Sequence, residues 1–122
     1  MASNRIQRFG PVALTTTLTT NIINPAAAGS GTGYTPTATY CVLRHIRIVN
    51  KTGSAATFSL WVGLTGANTA GTEVIGQALS VAANSAFDWY GYLRMDAVDF
   101  LVGGSGTTTA LTFEAEGEVG LA

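Results

Sequence analysis

Acidic residues are absent from the first 72 positions of this 122-residue chain; all seven lie between Glu73 and Glu118. The stretch before Glu73 carries Arg5, Arg8, Arg44, Arg47 and Lys51, a formal +5, and the remainder, with Arg94 as its one base, sums to −6. The chain is near neutral only when its two halves meet, within one molecule or between copies. Charge of either sign is scarce: 11% of residues are charged, against about 25% in ordinary soluble domains. Disorder does not explain this, because 47% of the chain is apolar and aromatic residues are plentiful. A folded domain with so few charges is expected to have part of its surface covered by partners.

Other shortages narrow the chemistry. Cys41 is the only cysteine, which excludes an internal disulfide and leaves the redox compartment open. No apolar run approaches the ~20 residues of a spanning helix, and no secretory signal is visible. The chain therefore reads as a soluble product of the cytoplasm, with no membrane partner. Asn50-Lys51-Thr52 fits the glycosylation sequon, which in that setting is a chance match. The Gly29–Gly33 and Gly103–Gly106 clusters lack the Lys-Ser/Thr and following helix of a phosphate loop, and no Gly-x-Ser-x-Gly occurs. The bases are too few and too spread for a nucleic-acid footprint.

What is present is the punctuation of an all-β protein, with no 3.6-residue stripe sustained over three turns. Thr-rich Val12 to Ile23 is one strand or two short ones; residues 24–38 form a long loop, of the kind that is usually functional or flexible. Strands follow at Thr39–Val49, Ala56–Leu64, Glu73–Val81, Phe87–Leu93, Asp96–Val102 and Thr108–Gly120, with turns at 50–53, 82–85 and 103–106. Leu43, His45, Ile46, Ile48 and Val49 fill both faces of their strand, which marks it as central. The expected architecture is a two-sheet sandwich, jelly-roll-like, over residues 12–122. Residues 1–11 form an extended N-terminal arm, either frayed or laid on a neighbour. In the last strand, alternation sends Phe113, Ala115, Gly117 and Val119 one way and Thr112, Glu114, Glu116 and Glu118 the other. Three like charges about 7 Å apart need cations nearby.

His45 is the only histidine, so any catalytic triad or dyad must use it. Strict alternation puts Cys41 on the same face, which makes a Cys-His dyad the one nucleophilic arrangement available. The expectation is instead a buried cysteine beside a strand histidine hydrogen-bonded to a neighbour. One Cys and one His cannot form a structural zinc site, and Asp88, Asp96 and Asp99 lack the spacing of a calcium loop. No catalytic set, metal or cofactor is expected. Alternation also places Phe87 and Trp89 inward and Asp88, Tyr90 and Tyr92 outward. The tyrosines, with Trp61, suit a protein interface or carbohydrate stacking.

Three phrases carry a resemblance: Arg8-Phe9-Gly10-Pro11-Val12-Ala13-Leu14, His45-Ile46-Arg47-Ile48-Val49-Asn50-Lys51-Thr52, and Asp88-Trp89-Tyr90-Gly91-Tyr92-Leu93-Arg94. They resemble small virion structural proteins of tailed bacteriophages. The resemblance implies a non-enzymatic capsid decoration (cement) protein or a tail-associated component. On that footing the expected partners are the phage major capsid protein and further copies of the chain, with a trimer expected. The expected location is the virion, at the capsid surface. The alternative is a tail or fibre adaptor that binds host glycan. Interface residues are expected at Arg5, Arg8 and Phe9 in the arm, Tyr34 in the long loop, Arg44 and Arg47, Tyr90 and Tyr92, and Glu114, Glu116 and Glu118. Alternation sets Arg44 and Arg47 on opposite faces, so a single acidic stripe cannot neutralise both and some pairing is expected between subunits.

Overall fold

The computed structural model describes residues 5–23, 38–64, 66–96, 99–107 and 109–121. Eight strands follow in chain order: β1 (Arg5–Ala13), β2 (Asn21–Ile23), β3 (Ala38–Asn50), β4 (Ala56–Gly63), β5 (Ile75–Val81), β6 (Ser85–Asp96), β7 (Phe100–Ser105) and β8 (Leu111–Leu121). They pair antiparallel as β1 with β8, β2 with β7, β3 with β6 and β4 with β5, as one long hairpin would. Further pairing of β3 with β8 and of β4 with β7 divides that hairpin into two four-stranded sheets, ordered β1-β8-β3-β6 and β2-β7-β4-β5. This is the jelly roll. Among the described residues no helix is long and apolar enough to cross a membrane.

The alternation expected in the last strand holds. Phe113, Ala115 and Val119 are fully buried between the sheets, while Glu114, Glu116 and Glu118 lie on the outer face. Leu43, Ile46 and Ile48 from β3 and Phe58, Leu60 and Leu101 from the other sheet complete the core. At about 25 cal/mol per Å² of apolar surface removed from water, this double layer is the main source of stability.

Three expectations are corrected. The N-terminal arm is not free from Arg5 onward: residues 5–13 are β1, the edge strand on β8, with Arg5 opposite Val119 and Phe9 opposite Ala115. Gln7 and Phe9 face inward and are buried, so the boundary drawn at residue 11 falls inside a strand of the sandwich. Of the Thr-rich stretch 12–23 only the ends are strand. Between them the hydroxyls of Thr15 and Thr20 bond each other, and Thr20 donates to the Thr17 carbonyl; such local bonds compete with a ladder.

The third correction concerns the glycines. Gly103 and Gly104, expected in a turn, lie inside β7, where a Cβ on the first would strike the Ser59 carbonyl oxygen and on the second that of Thr15. The glycines are there because neighbouring backbones approach too closely for any side chain. The long loop around Gly29 to Tyr34 lies outside the described residues.

Candidate functional site: the outer face of the β1-β8-β3-β6 sheet

The charged and tyrosine side chains of the chain gather on one surface because of a break in β3. The pairing register shifts between Leu43 and His45 against both neighbouring strands. On the β8 side Leu43 faces Gly117 and His45 faces Glu116, which leaves Arg44 as the extra residue of a β-bulge. Before the bulge Cys41 and Leu43 point inward; after it Ile46 and Ile48 do. Arg44, His45 and Arg47 therefore all project outward. Two expectations fall with this. Arg44 and Arg47 share a face, and Cys41 and His45 do not. Burial in the core pushes the Cys41 thiol up to about 12, so it is an inert packing group. No Cys-His dyad exists.

Across the outer face the side chains fall in rows set by strand register. Arg8, Glu116, His45 and Tyr90 form one row; Glu114, Arg47 and Asp88 form the next. A third holds Ile6, Glu118, Val42 and Arg94. His45 Nε2 lies 2.7 Å from Asp88 Oδ1 and its Nδ1 3.7 Å from Glu116 Oε1. Arg47 donates from Nη2 to Asp88 Oδ2 at 3.4 Å, and its Nε lies 3.1 Å from Asp88 Oδ1. The hydrogen bond from His45, joined by the charge of Arg47, holds the Asp88 carboxyl below its ordinary range.

The tyrosines of β6 are fixed by what they stack on. Tyr90 lies parallel to the His45 ring, centroids 4.7 Å apart and planes 14° from parallel. The Arg44 guanidinium sits 4.7 Å above the Tyr92 ring, and that of Arg94, bonded to Asp96 at 3.0 Å, lies 4.8 Å from the Tyr40 ring. Such cation–π contacts at exposed sites are worth roughly 0.5–1 kcal/mol. Tyr90 and Tyr92 nonetheless keep 73% and 75% of their surface in water. Beneath them Phe87 and Trp89 pack on the core, as alternation predicts. Trp61 does not join the patch: it is buried, and its indole donates to the Thr69 carbonyl at 2.9 Å.

The structure thus brings Arg8, Arg44, Arg47, Tyr90, Tyr92, Glu114, Glu116 and Glu118 onto one face and turns Phe9 into the core. Tyr34 lies outside the described residues. Sequence reasoning missed the convergence of His45, Glu114 and Glu116, each of which offers a ligand atom within 4.8 Å of the others. The bulge that aims His45 outward shows in the sequence only as two adjacent polar residues, Arg44 and His45, between Leu43 and Ile46.

No family model and no curated protein sequence matches the chain. Among solved structures, a tobacco streak virus coat protein dimer is similar with a TM-score of 0.49 at 13% identity, over 98% of this chain and 88% of that one. A TNF, Eiger, from S. frugiperda is similar with a TM-score of 0.46 at 13% identity, over 98% of this chain and 93% of that one.

Proposed function

We propose that the chain is a virion structural protein of a tailed bacteriophage, a capsid decoration protein that binds the assembled lattice across subunit junctions. The observation that carries this is the outer face of the β1-β8-β3-β6 sheet. Asp88 and Asp96 are paired with Arg47 and Arg94 within the chain, and the two exposed tyrosines are pre-oriented by His45 and Arg44. A surface whose tyrosines are already ordered loses little entropy on docking. Tyr and Arg are the residue types that anchor interfaces. The resemblance of its three phrases to phage virion proteins supports the same reading, and the separation of Cys41 from His45 removes the one nucleophilic alternative.

In this role the protein acts as a homo-oligomer, a trimer, on the major capsid protein. Binding only the assembled lattice, it stabilises that state by mass action. Copy number per virion, measured by quantitative mass spectrometry of purified particles, tests the reading. Hundreds of copies are expected. A handful per particle, with host-glycan binding abolished by Tyr90→Ala and Tyr92→Ala, would instead establish a tail or fibre adaptor, the reading that exposed tyrosines also favour.

A further inference from the structure

We propose that His45, Glu114 and Glu116 form a binding site for a divalent transition-metal cation of the zinc type on the outer face of the sheet. The three come together because His45 faces Glu116 directly across β3 and β8, and Glu114 lies two residues along the same strand face. One ligand atom from each falls within 4.8 Å of the other two. Tetrahedral zinc with bonds of about 2.0–2.1 Å to nitrogen or oxygen sets its ligands ~3.3 Å apart. The widest pair therefore needs to close by up to about 1.5 Å, which carboxylates on flexible stems at a sheet surface do by changing rotamer.

Two observations point to a cation rather than to a chance meeting of charges. The first is the histidine. Asp88 sits 2.7 Å from Nε2, and a carboxylate at that distance requires a proton on that nitrogen. The other nitrogen, Nδ1, is left facing Glu116 at 3.7 Å, too long for a hydrogen bond. In the neutral ring this sets a lone pair against a carboxylate, a repulsion that a metal ion between them turns into two bonds. A ligating imidazole commonly has its far N–H held by a carboxylate, which fixes the tautomer and raises ring basicity; Asp88 is so placed. The second is Glu114. Its Oε1 is buried and has no hydrogen-bond partner, and a buried unsatisfied oxygen calls for an explanation such as an ion. Arg47, directly across from Glu114, is drawn away to Asp88.

The bulge completes the argument. If β3 ran through Arg44 in regular alternation, His45 would follow Cys41 and Leu43 into the core, so the bulge is what delivers a nitrogen ligand to the glutamate stripe. Bulges re-aim side chains in this way beside functional sites. The site runs against the expectation, drawn from one Cys and one His, that the chain binds no metal.

The test uses the full-length chain without a purification tag, so that His45 is the only imidazole and its ring proton signals need no assignment. Chelator-treated protein is titrated with zinc chloride and, separately, manganese chloride, followed by proton NMR and calorimetry. The expected result is saturable one-to-one binding, with His45 signals shifted by zinc and broadened by manganese. The double variant E114Q/E116Q is expected to lose at least tenfold in zinc affinity. Asp88→Asn, which keeps every ligand, is expected to lose about tenfold as well, and Asp96→Asn, on the far end of β6, to lose nothing. His45 signals that do not respond to either ion in the folded wild-type chain overturn the proposal. So does zinc binding of undiminished affinity in E114Q/E116Q.

Discussion

Asn50 shows how much one buried polar residue can organise. Its side chain is 1% exposed and uses its full bonding capacity. The amide nitrogen donates to the carbonyls of Ser54 at 2.9 Å and Val81 at 3.0 Å, and the oxygen accepts from the backbone N–H of Thr52 at 2.9 Å and its hydroxyl at 2.7 Å. The residue closes the β3–β4 turn and ties it to the end of β5. The glycosylation-like triplet therefore has a structural cause: Thr52 is placed to bond Asn50, and an asparagine so enclosed is no sugar acceptor. Replacing Asn50 with alanine removes its bonds to the Val81 carbonyl and the Thr52 N–H, while the Ser54 carbonyl keeps the Thr52 hydroxyl, at about 1–3 kcal/mol for each buried group that water cannot reach. Asn50→Ala is expected to lose about 2–4 kcal/mol in equilibrium urea unfolding. A loss below about 0.5 kcal/mol, the scatter of ordinary surface changes, would show that the turn holds itself together without the side chain.

At the scale of strands, what was legible in the sequence was whatever period two determines. Phe113 to Val119 alternates without interruption, and its two faces fell where alternation put them; the same holds for Phe87 to Tyr92. Legibility failed at irregularities. The only mark of it in Leu43-Arg44-His45-Ile46 is the pair of adjacent polar residues. That alone does not announce that both point outward, because a bulge is set by the registers of three strands at once. The error propagated, since one missed residue reassigned Cys41, Arg44, His45 and Arg47 relative to one another.

Glycine was ambiguous for a related reason. A run such as Gly103-Gly104 serves a turn or a close approach equally well, and only the positions of Ser59 and Thr15 decide. The bulge also makes a strong prediction. Deleting Arg44 leaves Cys41, Leu43, Ile46 and Ile48 in strict alternation on the inward face and His45 outward, but it widens the mismatch with β6, where residues 91 and 92 already stand opposite Arg44 alone. The deletion is expected to keep unfolding cooperative and to cost about 1–3 kcal/mol through the disturbed β6 pairing. Arg44→Ala, which keeps the extra residue, is expected to stay within about 1 kcal/mol of wild type. Equal effects of the two changes in thermal melts would mean that β3 tolerates either register.

For the whole molecule, the segregation of charge along the chain is resolved by strand order. Four of the five bases of the first half lie on β1 and β3, five of the seven acids lie on β8 and β6, and the sheet interleaves these strands as β1-β8-β3-β6. A sequence sorted into halves becomes a surface of alternating sign, because the jelly roll pairs early strands with late ones. One premise for pairing between subunits, that Arg44 and Arg47 face opposite ways, falls with the bulge. In the proposed oligomer, the exposed Tyr90 and Tyr92 are candidates for the contact between copies alongside charge pairing. The two possibilities separate by salt. At ~1 M NaCl the Debye length falls to about 3 Å, and pairing between exposed charges on different subunits is largely screened. Contacts built on aromatic burial persist or strengthen. The oligomer seen by light scattering after size exclusion is expected to keep its mass at that salt. Tyr90→Ser with Tyr92→Ser is expected to shift it to monomer with little change in thermal stability. Dissociation by salt alone, with the tyrosine variant still assembled, would return the Glu114-Glu116-Glu118 stripe to an interface between copies.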